Sequence, residues 1–393
     1  SKGDYPDNDE RFLLLSQSAL ALPEVVGWVP DVFHAHDWTV ALLPVLINAL
    51  ETTDPLRKCS SVLTIHNLLH QGVFPAETFS KTGLPDSWYN LDGLEQKGCL
   101  NMLKGGIRHA TKITTVSPTY AREIQEEPLS QGLGPSLRHR AADLIGILNG
   151  IDCKKWNPQT DPSLPRNYSI DDVSKGKSAC KAALLEEVGL PLNLNRPLFF
   201  VVSRLDHQKG LDLLSNVLFR LIQEEDLSFV LLGNGDPKLE TAYRELSRQR
   251  PDCVATVIGF DGALARRLFG GGDFLVMPSR FEPCGLTQLY AMRYGAIPIV
   301  RKTGGLADTV TPWSPGRTDA TGISFEGEGE WELFLAMEQA LLAFKDSEAL
   351  AGLRRSGMKR DFSWGASAEA YAQTYSWAMD ARNETIGKPR RHD

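Results

Sequence analysis

Two basic side chains stand five residues apart in the segment VVSRLDHQKG, residues 201–210. The apolar run at its start predicts a buried strand, and the residues after it have helical spacing. Arg204 and Lys209 are therefore expected at the carboxyl end of a strand and just before a helix, where open α/β sheets bind ligands. A guanidinium and an ammonium at such a place suit a diphosphate. A pair of solvated surface cations is the alternative, and spacing alone leaves both open.

A carboxylate follows a second apolar run. Within PSRFEPCGLT, residues 278–287, Glu282 lies after the strand-like run DFLVM and before a helical pattern. It is expected at the same sheet edge, where it could bind sugar hydroxyls or, alternatively, cap the helix. The residues that bring backbone N–H groups to the helix start, where phosphate binds well, are Cys284, Gly285, Leu286 and Thr287. Cys284 has no paired base, so packing is a better interpretation than nucleophilic catalysis.

Polar side chains also end the apolar runs of the first half of the chain. They are His34, His36 and Asp37 after one run, His66 and Asn67 after another, and Asn149 after a later one. Imidazole and amide groups in one pocket suit sugar hydroxyls, although each histidine alone is typical of a hydrogen-bonded strand end. His66 and His70 have the spacing of helical metal ligands, but the glutamate of the His-Glu-x-x-His motif is missing, so no zinc site is expected.

Two glycine clusters follow other apolar runs. Gly304 and Gly305 predict either a close approach of the backbone to a ligand or a plain tight turn. Gly233 and Gly235 begin a dinucleotide-binding pattern, but Lys238 stands where the third glycine belongs. A turn is predicted there, and a nicotinamide-dependent dehydrogenase is disfavoured.

Short apolar runs alternate with helical patterns along most of the chain, which predicts an α/β fold with doubly wound parallel sheets. The strands predicted in the first half are 31–36, 61–66, 112–116 and 143–148. Those predicted in the second half are 197–203, 227–232, 253–258, 273–277 and 296–300. A proline-rich stretch with one charged helical pattern, residues 157–195, predicts the connection between two domains.

The predicted organisation is a first domain over 1–150, a second over 151–362, and a last helix with its tail over 363–393. Only about four strands precede the connection, where an open doubly wound sheet has five or six. We therefore expect the first domain to be N-terminally incomplete in this chain.

Composition narrows the class of protein. The 393 residues carry 42 Lys and Arg against 49 Asp and Glu, a net charge of −7, which argues against general binding of nucleic acid. No apolar run reaches about 18 residues, so no membrane span is expected. Six cysteines without a C-x-x-C pair favour a reducing, intracellular compartment.

Seven segments together resemble one known family. They are HAHDW at 34–38, TIHNLLHQGVFP at 64–75, VSPTYAREI at 116–124, LNGID at 148–152, VSRLDHQKGLDLL at 202–214, PSRFEPCGLTQLYAMRYGAIPIVRKTGGLADTV at 278–310 and DFSW at 361–364. In these segments the chain resembles bacterial glycogen synthases and plant starch synthases, from Tyr5 to the final helix. The resemblance implies a GT-B glycosyltransferase fold, with two Rossmann-like domains facing each other across a cleft. It also implies a hexosyltransferase that needs neither a metal nor a cofactor.

The implied reaction is retaining transfer of glucose from ADP-glucose to the non-reducing end of an α-1,4-glucan, glycogen or starch. The resemblance assigns Arg204 and Lys209 to the diphosphate and the departing ADP, and Glu282 to the donor glucose. It adds His66 to this catalytic set. The substrate-binding residues that it implies are Tyr5, Asn8, Asp37, Asn67, Asn149, Phe260, Cys284, Gly285, Leu286 and Thr287. Phe260 stands where a nucleotide-stacking tyrosine is expected.

The family begins with a Lys-x-Gly-Gly-Leu loop that cradles the donor phosphate, and this chain starts after it. About a hundred residues, three strand–helix units of about 30 residues each, are therefore expected to be missing. Two alternatives stay open: an impaired or non-catalytic fragment that binds nucleotide or glucan, and a related enzyme that uses UDP-glucose. The implied compartment is the bacterial cytoplasm or, alternatively, the plastid stroma.

Overall fold

The computed structural model describes residues 5–386, which form two compact units. The first unit contains the described residues up to Leu148 and those from Gly365 onward, and the second runs from Asn149 to Trp364. Each unit is built on its own parallel sheet. The predicted α/β fold class is thereby confirmed.

The first unit begins with a long helix and then alternates strands and helices. Its elements before the chain passes into the second unit are α1 (Asn8–Val26), β1 (Val32–His36), α2 (Leu42–Ala49), β2 (Ser60–Ile65), β3 (Val73–Pro75), β4 (Glu95–Gln96), β5 (Cys99–Asn101), α3 (Met102–His109), β6 (Lys112–Thr115), α4 (Pro118–Glu123), α5 (Gly134–His139) and β7 (Leu144–Gly146). The parallel sheet has the order β1–β2–β6–β7, and β3–β5–β4 form a small antiparallel sheet.

The four strands predicted for this unit are all present, and the most buried of them lies inside the sheet. All six residues of β2 are buried, as expected for a strand with a neighbour on each side and helices on both faces. On one face Leu63 packs with Ile107 of α3 and Ile113 of β6. The antiparallel sheet was not predicted, because strands of two or three residues have no readable period.

The second unit continues the same alternation with a larger sheet. Its elements are α6 (Val173–Glu187), β8 (Leu198–Val202), α7 (Leu211–Glu224), β9 (Ser228–Gly233), α8 (Pro237–Gln249), β10 (Val254–Ile258), α9 (Gly262–Gly271), β11 (Phe274–Met277), α10 (Thr287–Arg293), β12 (Ile297–Arg301), α11 (Gly304–Thr309), β13 (Ile323–Phe325), α12 (Glu330–Lys345) and α13 (Ser347–Lys359). The six parallel strands have the order β10–β9–β8–β11–β12–β13. Five were predicted, and only the three-residue β13 was missed.

Strand β8 shows why this sheet forms. Its side chains alternate between two hydrophobic cores, one on each face of the sheet. Phe199 and Val201 belong to one core, while Leu198 and Phe200 belong to the other. A strand that is apolar at every position is therefore explained by helices on both sides.

The stretch predicted as the connection between domains is instead packed into the second unit. Leu164 and Tyr168 are buried in one of its cores, and the hydroxyl of Tyr168 donates to the backbone oxygen of Tyr294 at 2.8 Å. The prolines do prevent regular structure before α6, but the apolar side chains between them still bury themselves. The interpretation of residues 157–195 as a linker was wrong.

The last helix, α14 (Trp364–Ile386), packs on the first unit. Its buried positions form one stripe: Ser367, Thr374, Ala378 and Arg382. The hydroxyl of Ser60 in β2 donates to the backbone oxygen of Ala378 at 3.1 Å. Among the helices of residues 5–386, none is long and apolar enough to cross a membrane.

Candidate active site

The two central strands of the second sheet, β8 and β11, mark the point where the strand order changes direction. The chain proceeds outward from β8 through β9 and β10, and outward on the other side from β11 through β12 and β13. A crevice beyond the carboxyl ends of the strands forms at such a point, and ligands bind there. A cavity of about 210 Å³ lies at this place. Six residues predicted from the sequence line it: Arg204, Lys209, Glu282, Gly285, Leu286 and Thr287.

Lys209 and Glu282 form an ion pair in this cavity. Lys209 Nζ lies 2.6 Å from Glu282 Oε2, and the hydroxyl of Ser279 donates to the same oxygen at 3.1 Å. The two side chains are only 16% and 7% exposed. Because removing two charges from water costs about as much as their attraction returns, such a pair contributes little to stability. A nearly buried pair that still lines a cavity is better explained by ligand binding than by folding.

The loop that carries Lys209 is fixed by one acid and one glycine. Asp206 Oδ1 accepts a hydrogen bond from the backbone N–H of Lys209 at 3.1 Å. Gly210 has a φ of +64°, and a Cβ there would lie 2.1 Å from the backbone oxygen of Pro278. Only glycine allows both the conformation and the close approach. Arg204 lies 3.3 Å from Asp206, and its side chain is 65% exposed, so its guanidinium remains accessible to a ligand.

The Gly304–Gly305 pair supports the backbone beneath Glu282. A Cβ on Gly304 would lie 1.9 Å from the backbone oxygen of Glu282, and one on Gly305 would lie 2.1 Å from that of Cys284. The N–H of Gly305 donates to the Glu282 oxygen at 3.0 Å. The backbone that approaches these glycines is the Glu282 segment, and because they begin helix α11 the prediction of a plain turn was wrong.

Two other predicted residues of the second unit, Cys284 and Phe260, do not line the cavity. The Cys284 side chain is buried, and burial raises the pKa of its thiol to about 11, although the backbone N–H of Asn149 opposes this. A thiol that stays protonated is a poor nucleophile, in keeping with a packing role. Phe260 is 96% exposed and is not among the described residues that line the cavity. Glu282 does not cap α10, since its carboxylate is engaged by Lys209.

In the first unit, histidines gather at the carboxyl ends of β1 and β2. His36 Nδ1 lies 2.9 Å from His66 Nε2, and Asp37 Oδ1 accepts a hydrogen bond from the backbone N–H of His66 at 2.7 Å. Asp37 has a φ of +59°, a strained value for a residue with a side chain and one that is common at functional sites. Burial lowers the pKa of His36, with a further contribution from His66. These residues form a second polar cluster.

The other residues predicted for a site in this unit make contacts outside the cluster of His36, His66 and Asp37. Asn67 Oδ1 accepts from the N–H of Leu69 at 3.1 Å, which makes a turn. His66 and His70 therefore lie in a loop and not on a helix, so the helical metal-ligand spacing does not apply. Asn8 is buried at the start of α1, and Tyr5 is exposed with Arg11 stacked on its ring. Within residues 5–386, no group of three or more His, Cys, Asp or Glu side chains could hold a metal ion.

Sequence reasoning missed two arginines, Arg280 and Arg301, whose side chains tie residues 278–287 to other parts of the second unit. Arg280 makes a two-pronged ion pair with Asp212, with N–O distances of 2.8 and 2.7 Å. The guanidinium of Arg301 also donates to the backbone oxygen of Ser279 at 3.0 Å. No local pattern shows these contacts, because the partners lie far apart in the chain.

Comparison with known proteins gives consistent results along the chain. Residues 1–139 match the family described as starch synthase catalytic domain, and residues 186–349 match glycosyl transferases group 1. The glycogen synthase of an Anaeromyxobacter species is 47% identical over 373 residues, which are 95% of this chain and 78% of that protein. The glycogen synthase of Exiguobacterium sibiricum is 43% identical over 377 residues, with 95% and 78% covered.

Solved structures agree with these matches. The catalytic domain of starch synthase IV from Arabidopsis thaliana, bound to ADP and acarbose, has a TM-score of 0.89 at 35% identity, covering 96% of this chain and 79% of that one. Sucrose-phosphate synthase from Thermosynechococcus elongatus has a TM-score of 0.61 at 18% identity, covering 95% and 79%, and it shows the fold alone.

Two parallel sheets, with a charged cavity at the switch point of the second, define a glycosyltransferase of the GT-B fold. The chain belongs to the glycogen synthase family, which includes the plant starch synthases. It is a glucosyltransferase whose substrates are a nucleotide sugar and a glucan.

Proposed function

We propose that the protein transfers glucose, with retention, from ADP-glucose to the non-reducing end of an α-1,4-glucan. The observation that carries the proposal is the ion pair of Lys209 and Glu282, whose N–O distance of 2.6 Å brings a cation and an acid together in the cavity at the switch point. The starch synthase IV structure holds ADP and acarbose, which supports an adenine nucleotide and a glucan as ligands.

The size of the cavity bears on which part of the donor it takes. At about 210 Å³ it is smaller than the roughly 300–1,000 Å³ of a typical small-molecule site. It therefore suits a sugar and its phosphates rather than a whole nucleotide sugar. We propose that Lys209 and Arg204 bind the diphosphate and that Glu282 binds hydroxyls of the glucose.

The charges in the cavity suit the proposed bond changes. The bond from glucose C1 to the diphosphate breaks, and ADP leaves with the electron pair. A bond forms from C1 to the 4-hydroxyl oxygen of the glucan, whose proton ends on the departing phosphate. Negative charge thus builds on the diphosphate while positive charge builds on the sugar. Fixed cations and a fixed carboxylate stabilise these charges without reorganising.

A sugar-binding role is also proposed for the polar cluster of the first unit. His36 and His66 share a hydrogen bond of 2.9 Å, so one ring must donate and the other accept. The tautomers of the two rings are therefore coupled, and which ring donates decides whether the second nitrogen of His66 donates or accepts. Asp37, held by the His66 backbone, and Asn67 provide further oxygen acceptors for hydroxyls.

The first experiment compares donors. The full gene product is incubated with glycogen and either ADP-glucose or UDP-glucose that is radiolabelled in the sugar, and incorporation into glucan is measured. We expect incorporation from ADP-glucose to exceed that from UDP-glucose by at least about tenfold. A preference for UDP-glucose would assign the related enzyme instead, and ADP binding without incorporation would assign a non-catalytic binding protein.

The second experiment tests the site. Lys209→Met and Glu282→Gln each remove one charge of the pair, and we expect each to lower kcat by about 10²-fold or more, as is typical of losing one transition-state contact. Lys345→Met is the matched control, because Lys345 is exposed and its ion pair with Glu225 is long, at 3.6 Å. If kcat of both cavity variants equals that of the control, the site assignment is wrong.

We also propose a reducing compartment, the bacterial cytoplasm, with the plastid stroma as the alternative. The two glycogen synthases compared above are bacterial proteins, and all six cysteines of this chain are free thiols in the structure. Detection of the native protein in cell fractions, with a known marker for each compartment, tests this proposal.

A further inference from the structure

Two loops of the second unit meet around the ion pair. The lysine loop, residues 204–210, carries Lys209, and the glutamate loop, residues 278–287, carries Glu282. The loops follow different strands, and their charged residues lie 73 positions apart in the chain. The distance of 2.6 Å between Lys209 Nζ and Glu282 Oε2 therefore depends on what holds one loop against the other.

The Arg280 side chain joins the glutamate loop both to the lysine loop and to the helix that follows the lysine loop. Its guanidinium binds both carboxylate oxygens of Asp212, at 2.8 and 2.7 Å. It also donates to the backbone oxygen of His207 at 2.8 Å. Arg280 lies in the glutamate loop, His207 lies in the lysine loop, and Asp212 lies in the first turn of the helix that follows. The planar guanidinium fork fixes direction as well as distance, which a lysine ammonium does not.

Two further hydrogen bonds lie immediately beside the charged pair. The backbone N–H of Arg280 donates to the Gln208 oxygen at 2.8 Å. The Gln208 side chain, which is buried, returns a hydrogen bond to the backbone oxygen of Phe281 at 3.2 Å. Gln208 directly precedes Lys209, and Phe281 directly precedes Glu282. The two charged residues are therefore each one residue away from a contact that joins the loops.

We propose that Arg280, Asp212 and Gln208 are positioning residues that set Lys209 against Glu282 for sugar transfer. This inference rests on the proposed function, because the three residues contact no substrate and act only through Lys209 and Glu282. Partly exposed ion pairs add little stability, so the geometry of the Arg280–Asp212 pair is better explained by positioning. Catalytic groups must be held to within about 0.5 Å, and a shift of about 1 Å can cost about 10²-fold in rate.

The same unit offers a matched control pair. Arg267 binds both carboxylate oxygens of Glu187 at 2.6 Å, with side chains 23% and 37% exposed. The Arg280 and Asp212 side chains are 19% and 47% exposed. Asp212→Asn and Glu187→Gln therefore remove the same charge from two similar pairs, of which the Arg280–Asp212 pair holds a loop of the cavity.

The experiment measures kcat, donor KM and the urea midpoint of unfolding for both variants in the full gene product, with ADP-glucose and glycogen. We expect Asp212→Asn to lower kcat by about tenfold, while Glu187→Gln stays within twofold of the parent and both unfolding midpoints change alike. Arg280→Lys keeps the positive charge but loses the planar guanidinium that binds both carboxylate oxygens of Asp212. We therefore expect its kcat to be lower than that of the parent, as in Asp212→Asn. Gln208→Met removes only the side-chain contact, and we expect a loss of about threefold to tenfold.

The outcomes separate this proposal from the proposed function. If Glu282→Gln abolishes transfer while Asp212→Asn, Arg280→Lys and Gln208→Met all keep kcat within twofold of the parent, the three residues are not positioning residues. A loss of kcat in Glu187→Gln equal to that in Asp212→Asn would overturn the proposal in the same way. If Glu282→Gln transfers glucose as fast as the parent, the assignment of the active site is wrong, and the positioning proposal falls with it.

Discussion

At the scale of single residues, both polar clusters hold titratable groups that are partly removed from water. In the first unit His34 uses both ring nitrogens: Nδ1 lies 2.8 Å from the Tyr375 hydroxyl, and Nε2 lies 2.6 Å from that of Thr64. Burial, with smaller contributions from His36 and His66, lowers the pKa of His34 from 6.5 to about 4. His34 is therefore neutral at pH 7, and the fold opposes its protonation.

A dependence of stability on pH follows from this shift. The folded-state pKa of His34 is lower than the unfolded-state value of 6.5, so the unfolded state takes up the proton first as the pH falls. Stability is lost between about pH 6.5 and pH 4. The free energy of unfolding of the parent should decrease from pH 7 to pH 5. In His34→Gln we expect this decrease to be smaller than in the parent by about 1 kcal/mol, after allowance for solvent screening.

Urea denaturation at the two pH values measures this difference. His70→Gln is the control, because the His70 side chain is exposed and its replacement should leave the pH dependence of the parent unchanged. The interpretation would be wrong if His34→Gln lost as much stability between pH 7 and pH 5 as the parent does.

At the scale of elements, one buried acid joins three parts of the second unit. Asp273, just before β11, accepts hydrogen bonds from Lys181 of α6 at 2.7 Å and from Arg354 of α13 at 2.6 Å. It also accepts from the N–H of Leu198 in β8 at 2.9 Å. Burial by itself raises the pKa of Asp273, but Lys181 and Arg354 hold it below its ordinary value. The two strands that carry the site loops thus share one ionised carboxylate.

Removing the charge of Asp273 should destabilise this unit strongly. Asp273→Asn keeps the size of the side chain but leaves two buried cations without a counter-ion, and we expect a loss of about 3–5 kcal/mol in the free energy of unfolding. Asp319→Asn is the control, since Asp319 pairs with Arg317 at the exposed surface and should cost less than about 0.5 kcal/mol. Urea denaturation of both variants tests the difference, and equal losses would contradict the role of the network.

The limits of prediction from sequence are also set at this scale. Strands β8 and β11 were predicted because they are apolar on both faces, and Lys209 and Glu282 lie in the loops that follow them. Strand β13 has only three residues, too few for a period to be visible. The contact between Arg280 and Asp212 joins positions 68 residues apart, and local patterns contain no information about such partners. Leu164 and Tyr168 show that a proline-rich stretch can still enter a core.

At the scale of the whole molecule, the chain builds two units with separate cores and returns to the first at its end. Helix α14 buries Ser367, Thr374, Ala378 and Arg382, whose spacings of seven, four and four residues place them on one face. Arg382 donates to the side chain of Asn48 at 2.8 Å, which ties this face to α2. The first unit therefore depends on residues that are among the last in the chain.

A charge placed on that face should destabilise the first unit selectively. Ala378→Glu forces a carboxylate into a position that is fully buried next to Ser60. Desolvation and overpacking should outweigh any attraction to Arg382, and we expect a cost of about 3 kcal/mol or more. Ala372→Glu places the same side chain on the exposed face of the same helix and should be nearly neutral. Hydrogen exchange read by mass spectrometry should show faster exchange in β1 and β2 of the first variant, with β8 and β9 unchanged. If β8 and β9 lost as much protection as β1 and β2, or if Ala372→Glu had the same effect, then α14 would not stabilise the first unit through its buried face.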